Sequence, residues 1–285
     1  MLKRLSILLG PTGVGKTAAG IAKAKKMGCP ILSCDSRQIF REMVIGTAAP
    51  SIEEQDGVPH YFIGSHSIQN NYTAGLYEVE ALALLEKLFQ SHDQVLMVGG
   101  SGLYIDAVCN GMDNFPPADL TLRAKLTDRL TSEGIESLRF DLKHLDRESY
   151  EKIDIKNPQR VVRALEVTLQ TGRPFSSFKS HTPKVRPFEI VKEGMIRERA
   201  DLYARIEARV DLMMERGLLQ EVRSLIPYRN NPALRTVGYK ELFDYFEGTL
   251  SLEEAVLLMK RNTRRYAKRQ CSYWGRDPSI MWIKC

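Results

Sequence analysis

The chain has 285 residues, enough for one large domain or a domain with an insertion, and its formal net charge of +6 is compatible with a polyanionic partner without requiring one. No segment approaches the length and apolar character of a membrane span, and the apolar stretch after Arg4 is too short for a signal peptide. The cysteines are odd in number and widely spaced, without a C-x-x-C pair, which argues against a disulfide framework or a zinc site and predicts a reducing, cytoplasmic location: Cys29, Cys34, Cys109, Cys271 and Cys285.

The first predicted elements are a strand over residues 5–9, a glycine-rich loop and a helix over residues 16–27. The loop matches the pattern G-x-x-x-x-G-K-S/T at every position and follows the apolar strand that such a loop requires. In this pattern backbone N–H groups surround phosphate oxygens, Lys16 adds a compact positive charge, and the Thr17 hydroxyl is placed to ligate Mg²⁺. An ordinary strand-to-helix turn is the alternative. The predicted phosphate-binding residues are Gly10, Pro11, Thr12, Gly13, Val14, Gly15, Lys16 and Thr17.

The next two predicted strands, over residues 31–34 and 95–98, end in different ways. The first leads into Asp35, and because open α/β sheets assemble their sites at the carboxyl ends of parallel strands, we expect this carboxylate to face the group that carries the phosphate. A role as a helix N-cap is the alternative. The second strand ends in a glycine turn, residues 99–102, where nucleotide-hydrolysing proteins usually carry an acidic metal ligand. A motor or a switch is therefore a poor candidate.

The rest of the pattern predicts an α/β fold: a P-loop NTPase-like parallel sheet flanked by helices, with a mainly helical insertion domain. Helices are expected over residues 75–90 and 101–109, and charged amphipathic helices follow over 116–180, capped by Asp119 or Thr121. Strands over 188–191 and 280–283 return to the sheet, the last at an edge, and one or two helices lie over 200–226. We expect residues 1–115 and 181–285 to form the core and 116–180 the insertion.

A run of cations near the end of the chain is expected to contact a polyanion. Residues 260–276 carry seven Lys or Arg residues and no acid, and helical spacing places Arg261, Arg265 and Arg269 on one face, beside Lys260, Arg264 and Lys268. Tyr266, Tyr273 and Trp274 lie among them and are candidates for base stacking. The alternative is a solvated face with the aromatic side chains turned into the core.

The motifs together resemble the tRNA dimethylallyltransferase family, also called tRNA isopentenyltransferases. The resemblance rests on blocks that run in the family's order across nearly the whole chain. These blocks are residues 10–17, 35–40, 45–48, 99–104, 157–167, 205–209, 235–240 and 268–270. The phosphate-binding loop alone is unspecific, whereas the ordered set is highly specific.

The resemblance implies transfer of a dimethylallyl group from dimethylallyl diphosphate to N6 of adenosine 37, next to the anticodon of tRNA, with release of diphosphate. This reaction explains a phosphate-binding loop without a hydrolytic apparatus, because the loop stabilises charge on the departing diphosphate. The implied partners are the tRNA anticodon stem-loop and dimethylallyl diphosphate, and the implied cofactor is Mg²⁺. A monomer is expected.

The resemblance also implies three catalytic residues. Asp35 accepts a proton from the adenine amine. Ser101 supplies a hydroxyl near the reacting groups, with a helix cap as the alternative. Arg209 binds diphosphate oxygens, and its alternative is a surface ion pair with Glu207 or Asp211.

The residues that the resemblance assigns to tRNA binding lie in four blocks. Arg160 and Arg163 lie three positions apart, so a structural pairing with acids such as Glu166 is an alternative. The tRNA-binding set is Asp35, Ser36, Arg37, Gln38, Gln159, Arg160, Val161, Val162, Arg163, Arg235, Thr236, Val237, Gly238, Tyr239, Lys240, Lys268, Arg269 and Gln270.

Three other functions fit parts of the sequence. A small-molecule or nucleoside kinase uses the same loop, and the missing acidic strand end argues against it. A non-catalytic RNA-binding module needs no phosphate-binding loop. An adenylate isopentenyltransferase acts on free nucleotide, and the long basic segment favours tRNA instead.

Overall fold

The computed structural model describes residues 2–180 and 182–285, which form two compact units. The first unit comprises Met1–Gly111 and Lys184–Cys285, and the second comprises Met112–Pro183. None of the described helices combines the length and the apolar character needed to cross a bilayer.

The first unit is built on a parallel sheet in the order β3-β2-β4-β1-β5-β6. The strands are β1 (Arg4–Leu9), β2 (Ile31–Ser33), β3 (His60–Tyr61), β4 (Gln94–Gly99), β5 (Glu189–Ile196) and β6 (Ile280–Lys284). Apolar runs form the central strands, and the side chains of Leu5, Leu9 and Leu96 are fully buried there. Every pairing is parallel, which confirms the predicted fold class.

The register of the sheet brings three loops together at one edge. Leu9 lies opposite Gly99, and Ser33 lies opposite Val98, so the chain leaves β1, β2 and β4 at the same level. The phosphate-binding loop, Asp35 and the glycine turn therefore become neighbours, although they are far apart in sequence.

Three helices connect the first strands: α1 (Lys16–Met27), α2 (Ala74–Leu88) and α3 (Gly102–Asn110). The carboxyl end of α1 is closed by Gly28 in a left-handed conformation, and the amino end of α2 is capped by the Thr73 side chain.

The second unit is helical, with its own apolar core. It contains α4 (Leu120–Glu133), α5 (Ile135–Leu145), α6 (Arg147–Lys152) and α7 (Pro158–Thr171). Asp119 caps α4 through the Leu122 N–H, as predicted, and Gly172 ends α7 in a left-handed conformation. The core is a cluster of Leu126, Leu138, Leu142, Val161, Val162, Ala164 and Leu165.

Four helices follow β5 in the first unit: α8 (Arg199–Glu215), α9 (Leu218–Ser224), α10 (Tyr239–Phe246) and α11 (Leu252–Trp274). Gly217, at φ 98°, separates α8 from α9, a backbone conformation that a residue with a side chain rarely adopts. The 23-residue α11 begins with a capping box formed by Ser251 and Glu254.

Candidate active site

The phosphate-binding loop joins β1 to the amino end of α1. Gly15 immediately precedes the helix at φ 110°, where a glycine is needed for the turn. The Lys16 ammonium folds back over the loop and donates to the backbone oxygens of Gly10 at 2.7 Å and Pro11 at 2.9 Å. The lysine charge thus lies at the mouth of the loop, beside the amino end of a helix, which favours an anion.

Burial lowers the pKa of Lys16 to about 8. The carboxylate of Asp35 acts in the opposite direction, and the Arg209 guanidinium lowers the pKa further. The three groups therefore interact electrostatically, and Lys16 is mostly protonated at neutral pH. Lys16 and Arg209 thus place two partly buried positive charges beside the loop, where they would attract an anion.

Arg209 extends from α8 into this site and not to the surface. Its guanidinium is within 3.5 Å of the Thr12 hydroxyl and 3.3 Å of the Thr47 backbone oxygen, and burial lowers its pKa. Glu207 and Asp211 pair instead with Arg264 and Lys260 on α11. The surface ion pair considered for Arg209 is absent from the described residues.

Arg205, one helical turn before Arg209, is a residue that the site prediction missed. Its Nε donates to the Gly13 backbone oxygen at 2.9 Å, and its guanidinium lies beside Gly15. The four-residue spacing from Arg209 on α8 was the available signal, because it places both side chains on one helical face.

Asp35 lies in a tight turn after β2. Its Oδ1 accepts from the backbone N–H of Arg37 at 2.9 Å and, more weakly, from that of Gln38 at 3.4 Å. Its Oδ2 has no hydrogen-bond partner within residues 2–180 and 182–285. Asp35 thus closes a turn with one oxygen, and not the helix that the alternative anticipated, and keeps the other for the cavity that it lines.

Ser101 supports the Asp35 turn from the glycine-rich side. Its hydroxyl accepts from the Ser36 N–H at 2.9 Å and donates to the Ser36 hydroxyl at 3.1 Å. Ser101 precedes α3, but its side chain makes no capping bond, so the helix-cap alternative does not describe this hydroxyl.

Two cavities meet at Asp35. One, of about 510 Å³, lies on the phosphate-binding loop and includes Lys16, Thr17, Gly99 and Gly100. The other, of about 540 Å³, is rimmed by cations from several segments, Arg37, Arg235, Lys240, Arg265 and Arg269. Both volumes are in the range of about 300–1,000 Å³ typical of small-molecule sites. Five residues line both cavities and mark the junction: Thr12, Asp35, Thr47, Arg209 and Tyr266.

The basic segment on α11 divides into two rows. Lys260 and Arg264 are neutralised by Asp211 and Glu207 of α8. Arg261, Arg265 and Arg269 are exposed, and the last two line the cationic cavity. Tyr266 lies at the junction below Arg269, whose guanidinium is 5.7 Å from its ring, whereas Trp274 is buried in the core. The acidic side chains of α8 thus neutralise one row only.

The block from Arg235 to Lys240 lies partly on the cavity surface and partly in the core. Arg235, Thr236, Val237, Gly238 and Lys240 line the cationic cavity. Tyr239 is fully buried, and its hydroxyl donates to Glu221 at 2.7 Å. The same carboxylate accepts from the backbone N–H groups of residues 44–46, which fixes the loop that carries Thr47. Tyr239 therefore shapes the cavity wall from behind and has no surface for direct contact with RNA.

The predicted block on α7 is divided between surface and core. Gln159 and Arg160 are exposed, whereas Val161 and Val162 belong to the core of the second unit. Arg163 donates to buried Glu166 at 2.8 Å and to the Pro116 backbone oxygen, and Arg123 also pairs with Glu166. Because Val161 and Val162 are buried, their assignment to RNA contact is corrected. Arg163 makes the structural pairing with Glu166 that was considered as the alternative.

Two glutamines in the predicted tRNA-binding set are engaged inside the protein. Gln38 donates to the backbone oxygens of Thr47 and Ala48 at 3.2 and 3.0 Å. Gln270 is 7% exposed and bonds to Thr12 and Gly100. Ser36, Arg37, Lys268 and Arg269 remain partly or fully accessible.

The parallel sheet, the glycine-rich loop and the arginine beside it define a P-loop-like α/β protein with a cationic cavity next to the loop. The model of the IPP transferase family matches residues 38–277. A tRNA dimethylallyltransferase of Porphyromonas gingivalis is 50% identical over 98% of this chain and 93% of the relative, and that of Cytophaga hutchinsonii is 48% identical over 99% and 92%. The chain belongs to the IPP transferase family.

Solved structures agree with this assignment. The tRNA isopentenylpyrophosphate transferase of Bacillus halodurans is 34% identical, with a TM-score of 0.73 over 99% of this chain and 90% of that protein. A eukaryotic dimethylallyltransferase acting on tRNA is 26% identical, with a TM-score of 0.81 over 99% of this chain and 74% of that protein.

Proposed function

We propose that this protein transfers the dimethylallyl group of dimethylallyl diphosphate to N6 of adenosine 37 in tRNA and releases diphosphate. The observation that carries the proposal is the junction of the two cavities. A site for a diphosphate and a cationic entrance meet at a carboxylate, so a donor and a polyanionic acceptor can reach one another there. Family membership supplies the identity of the transferred group.

The diphosphate end of the donor binds the loop of residues 10–17. Lys16, Arg209 and Arg205 lie around this loop, and the first two are partly buried. As the bond between C1 of the donor and its bridging oxygen breaks, the oxygen keeps the electron pair, and the cations stabilise the growing negative charge. Since this charge is largest after the bond has broken, the cations favour the transition state over the bound donor.

The donor set at the loop fits Mg²⁺. Thr17 offers an exposed hydroxyl on the same cavity, and the described residues hold no cluster of three His, Cys, Asp or Glu side chains that would form a dedicated metal cage. Mg²⁺ commonly binds through one or two protein oxygens, with substrate phosphates and waters completing its shell. When bound with Thr17, the ion would neutralise charge on the diphosphate.

Asp35 is the base in this proposal. The lone pair of the adenine amine is delocalised into the ring, so the amine needs orientation and removal of a proton as its bond to C1 forms. Oδ2 of Asp35 is available for that proton, because Oδ1 is held by the backbone turn and Ser101 braces the turn through Ser36. The same turn aims the carboxylate at the cavity junction.

The cationic cavity binds the anticodon stem-loop in this proposal. Arg37, Arg235, Lys240, Arg265 and Arg269 supply positive charge, and Tyr266 offers a ring at the junction. Extruding adenosine 37 from its stack costs about a few kcal/mol, which contacts with the phosphates offset. The exposed Gln159 and Arg160 on the second unit are further proposed contacts.

The absence of disulfides among the five cysteines supports a reducing, cytoplasmic location, and we propose a monomer.

The test is incubation of the purified protein with dimethylallyl diphosphate, Mg²⁺ and a tRNA transcript that carries adenosine 37. We expect one adenosine per tRNA to gain the mass of a dimethylallyl group in place of a hydrogen. A transcript with guanosine 37 and free AMP are the matched controls. Modification of AMP alone would indicate an adenylate isopentenyltransferase, and modification of neither acceptor contradicts the proposal.

A further inference from the structure

Gln270 connects the two glycine-containing loops of the site. Its Oε1 accepts from the Thr12 N–H at 2.9 Å, and its Nε2 donates to the Gly100 backbone oxygen at 2.7 Å. The side chain is 7% exposed, so both bonds are shielded from water. Gln270 therefore joins the two loops through its acceptor and its donor, and it also lines the cavity on the phosphate-binding loop.

The space around this amide is narrow. A Cβ added to Gly100 would lie 2.5 Å from the Gln270 Nε2 and 3.7 Å from the Lys16 ammonium. The amide is thus close to the cation of the phosphate-binding loop. A neutral group with one donor and one acceptor satisfies both backbone partners without pairing with Lys16.

The bond to Thr12 also determines which loop groups are available to a ligand. The Thr12 N–H is occupied by Gln270, while the Thr12 hydroxyl faces Arg209. Rotation of this peptide would move the Pro11 oxygen, which accepts from Lys16. A fixed Thr12 peptide therefore keeps the side chains of Lys16 and Arg209 in constant positions relative to each other.

We propose that Gln270 is a positioning residue that holds the phosphate-binding loop against Gly100 and so sets the affinity of the site for diphosphate. This role replaces its assignment to tRNA contact. It deepens the proposed function and rests on it, because diphosphate is the group released in that reaction.

Two substitutions test the proposal. Gln270→Met keeps the approximate length of the side chain and removes both hydrogen bonds. Gln270→Glu keeps an acceptor for Thr12, loses the donor to Gly100 and adds a negative charge beside Lys16. The control is Ser272→Ala, an exposed position on the same helix outside both cavities.

The primary measurement is calorimetric titration of each full-length protein with inorganic pyrophosphate and Mg²⁺, without RNA. The expected result for Gln270→Met is a Kd raised about tenfold, as the loss of two hydrogen bonds that order the site predicts. Gln270→Glu should bind more weakly still, and Ser272→Ala should match the wild type. An unchanged pyrophosphate Kd in both Gln270 variants overturns the proposal.

A second readout separates positioning from general destabilisation. In Gln270→Met, the KM for dimethylallyl diphosphate should rise about tenfold while the Kd for the anticodon stem-loop stays within about threefold of the wild type, because a generally looser fold would weaken both. An RNA Kd that rises as much as the KM contradicts the proposal. If Gln270→Met does not fold, Gln270→Asn, whose shorter amide cannot reach both partners, takes its place. The titration needs no prenyl transfer, so a wild type that binds pyrophosphate but modifies no tRNA refutes the proposed function alone.

Discussion

The two carboxylate oxygens of Asp35 have different tasks. Oδ1 closes the backbone turn with Arg37 and Gln38, and Oδ2 faces the junction of the cavities. A residue can thus be a structural cap and a candidate base at once. The roles of backbone cap and base are not exclusive for Asp35, because a carboxylate offers two oxygens.

Asp35→Asn should therefore keep the turn and lose the base. We expect kcat to fall by about 10²–10⁴, the usual contribution of general base catalysis. The Kd for tRNA should change by no more than about threefold, since the amide retains the geometry of the turn. Single-turnover prenylation and filter binding measure the two quantities. Asp93→Asn, at a surface pair with Lys3, is the control, and normal turnover of Asp35→Asn would remove Asp35 from the chemistry.

The pKa of Lys16 predicts a loss of donor use in mild alkali. The group is charged below a pKa of about 8 and neutral above it. In the free enzyme, kcat/KM for dimethylallyl diphosphate should therefore be nearly constant around neutral pH, fall to about half at pH 8 and decline toward about tenfold per pH unit above it.

Binding of tRNA over the same pH range is the control for this profile, because the exposed arginines of α11 stay charged throughout. Other buried groups titrate higher, as burial raises the pKa of Cys109 to about 11 and that of Tyr266 to about 12. A flat kcat/KM through pH 9 would show that the Lys16 charge does not limit donor binding.

At the residue scale, the sequence predicted the loop motif and Arg209 more readily than the direction of single side chains. Lys268, Arg269 and Gln270 are consecutive, yet the first two are exposed and the third is buried. A block of sequence covers more than one face of a helix, and only packing decides which face is covered. The same reason separates Tyr239 from Lys240.

At the scale of elements, α11 has two functions on different faces. One row of cations binds α8 through Asp211 and Glu207, and the other row is open at the cationic cavity. The number of charged residues is therefore a poor measure of the charge available to RNA.

Replacing Arg265 and Arg269 with Ala should lower the salt dependence of RNA binding. Each lost phosphate contact should reduce the log–log slope by about 0.7 for a single strand. The matched control is Lys260→Ala with Arg264→Ala, which removes the same charge from the neutralised row. Equal slopes for the two double variants would place Arg265 and Arg269 away from the phosphates. Anticodon stem-loop titrations over a range of salt concentrations provide the slopes.

Most elements of the sheet follow from apolar runs bounded by turn residues. The predicted strands over 5–9, 31–34, 95–98, 188–191 and 280–283 are confirmed, with shifts at their ends. The two-residue β3 was not predicted, because His60 and Tyr61 pair only with β2 and offer no periodicity. The hydrogen bonds from the backbone N–H groups of residues 44–46 to Glu221 were also not predicted, because these donors lie 175–177 positions away in the sequence.

At the scale of the whole molecule, the helical unit is inserted into the first unit through two adjacent chain segments. The Lys184 N–H donates to the Asn110 backbone oxygen at 2.8 Å, so the two segments flanking the insertion are neighbours in the first unit. Arg186 fixes the same region through Glu78 and the backbone oxygens of Ala107 and Val108. A short linker can therefore join the segments without strain.

Replacement of residues 112–183 by a Gly-Ser linker of about four residues should leave a folded first unit. We expect this variant to bind pyrophosphate with a Kd within about threefold of the wild type, because the diphosphate site lies in the first unit. Its affinity for the anticodon stem-loop should fall if the insertion contacts tRNA. Calorimetry and RNA titration measure the two effects, and unchanged RNA affinity would contradict the proposed role of the insertion.

The hydrogen bond between Thr12 and Gln270 has a consequence for synthesis of the protein. The two residues are 258 positions apart, so the loop acquires this partner only after 258 further residues have been translated. β1 also gains its second neighbouring strand only after β5 has been translated. A growing chain on the ribosome thus carries a nucleotide-type motif without a completed pocket, and the pocket can form only after Gln270 has been translated.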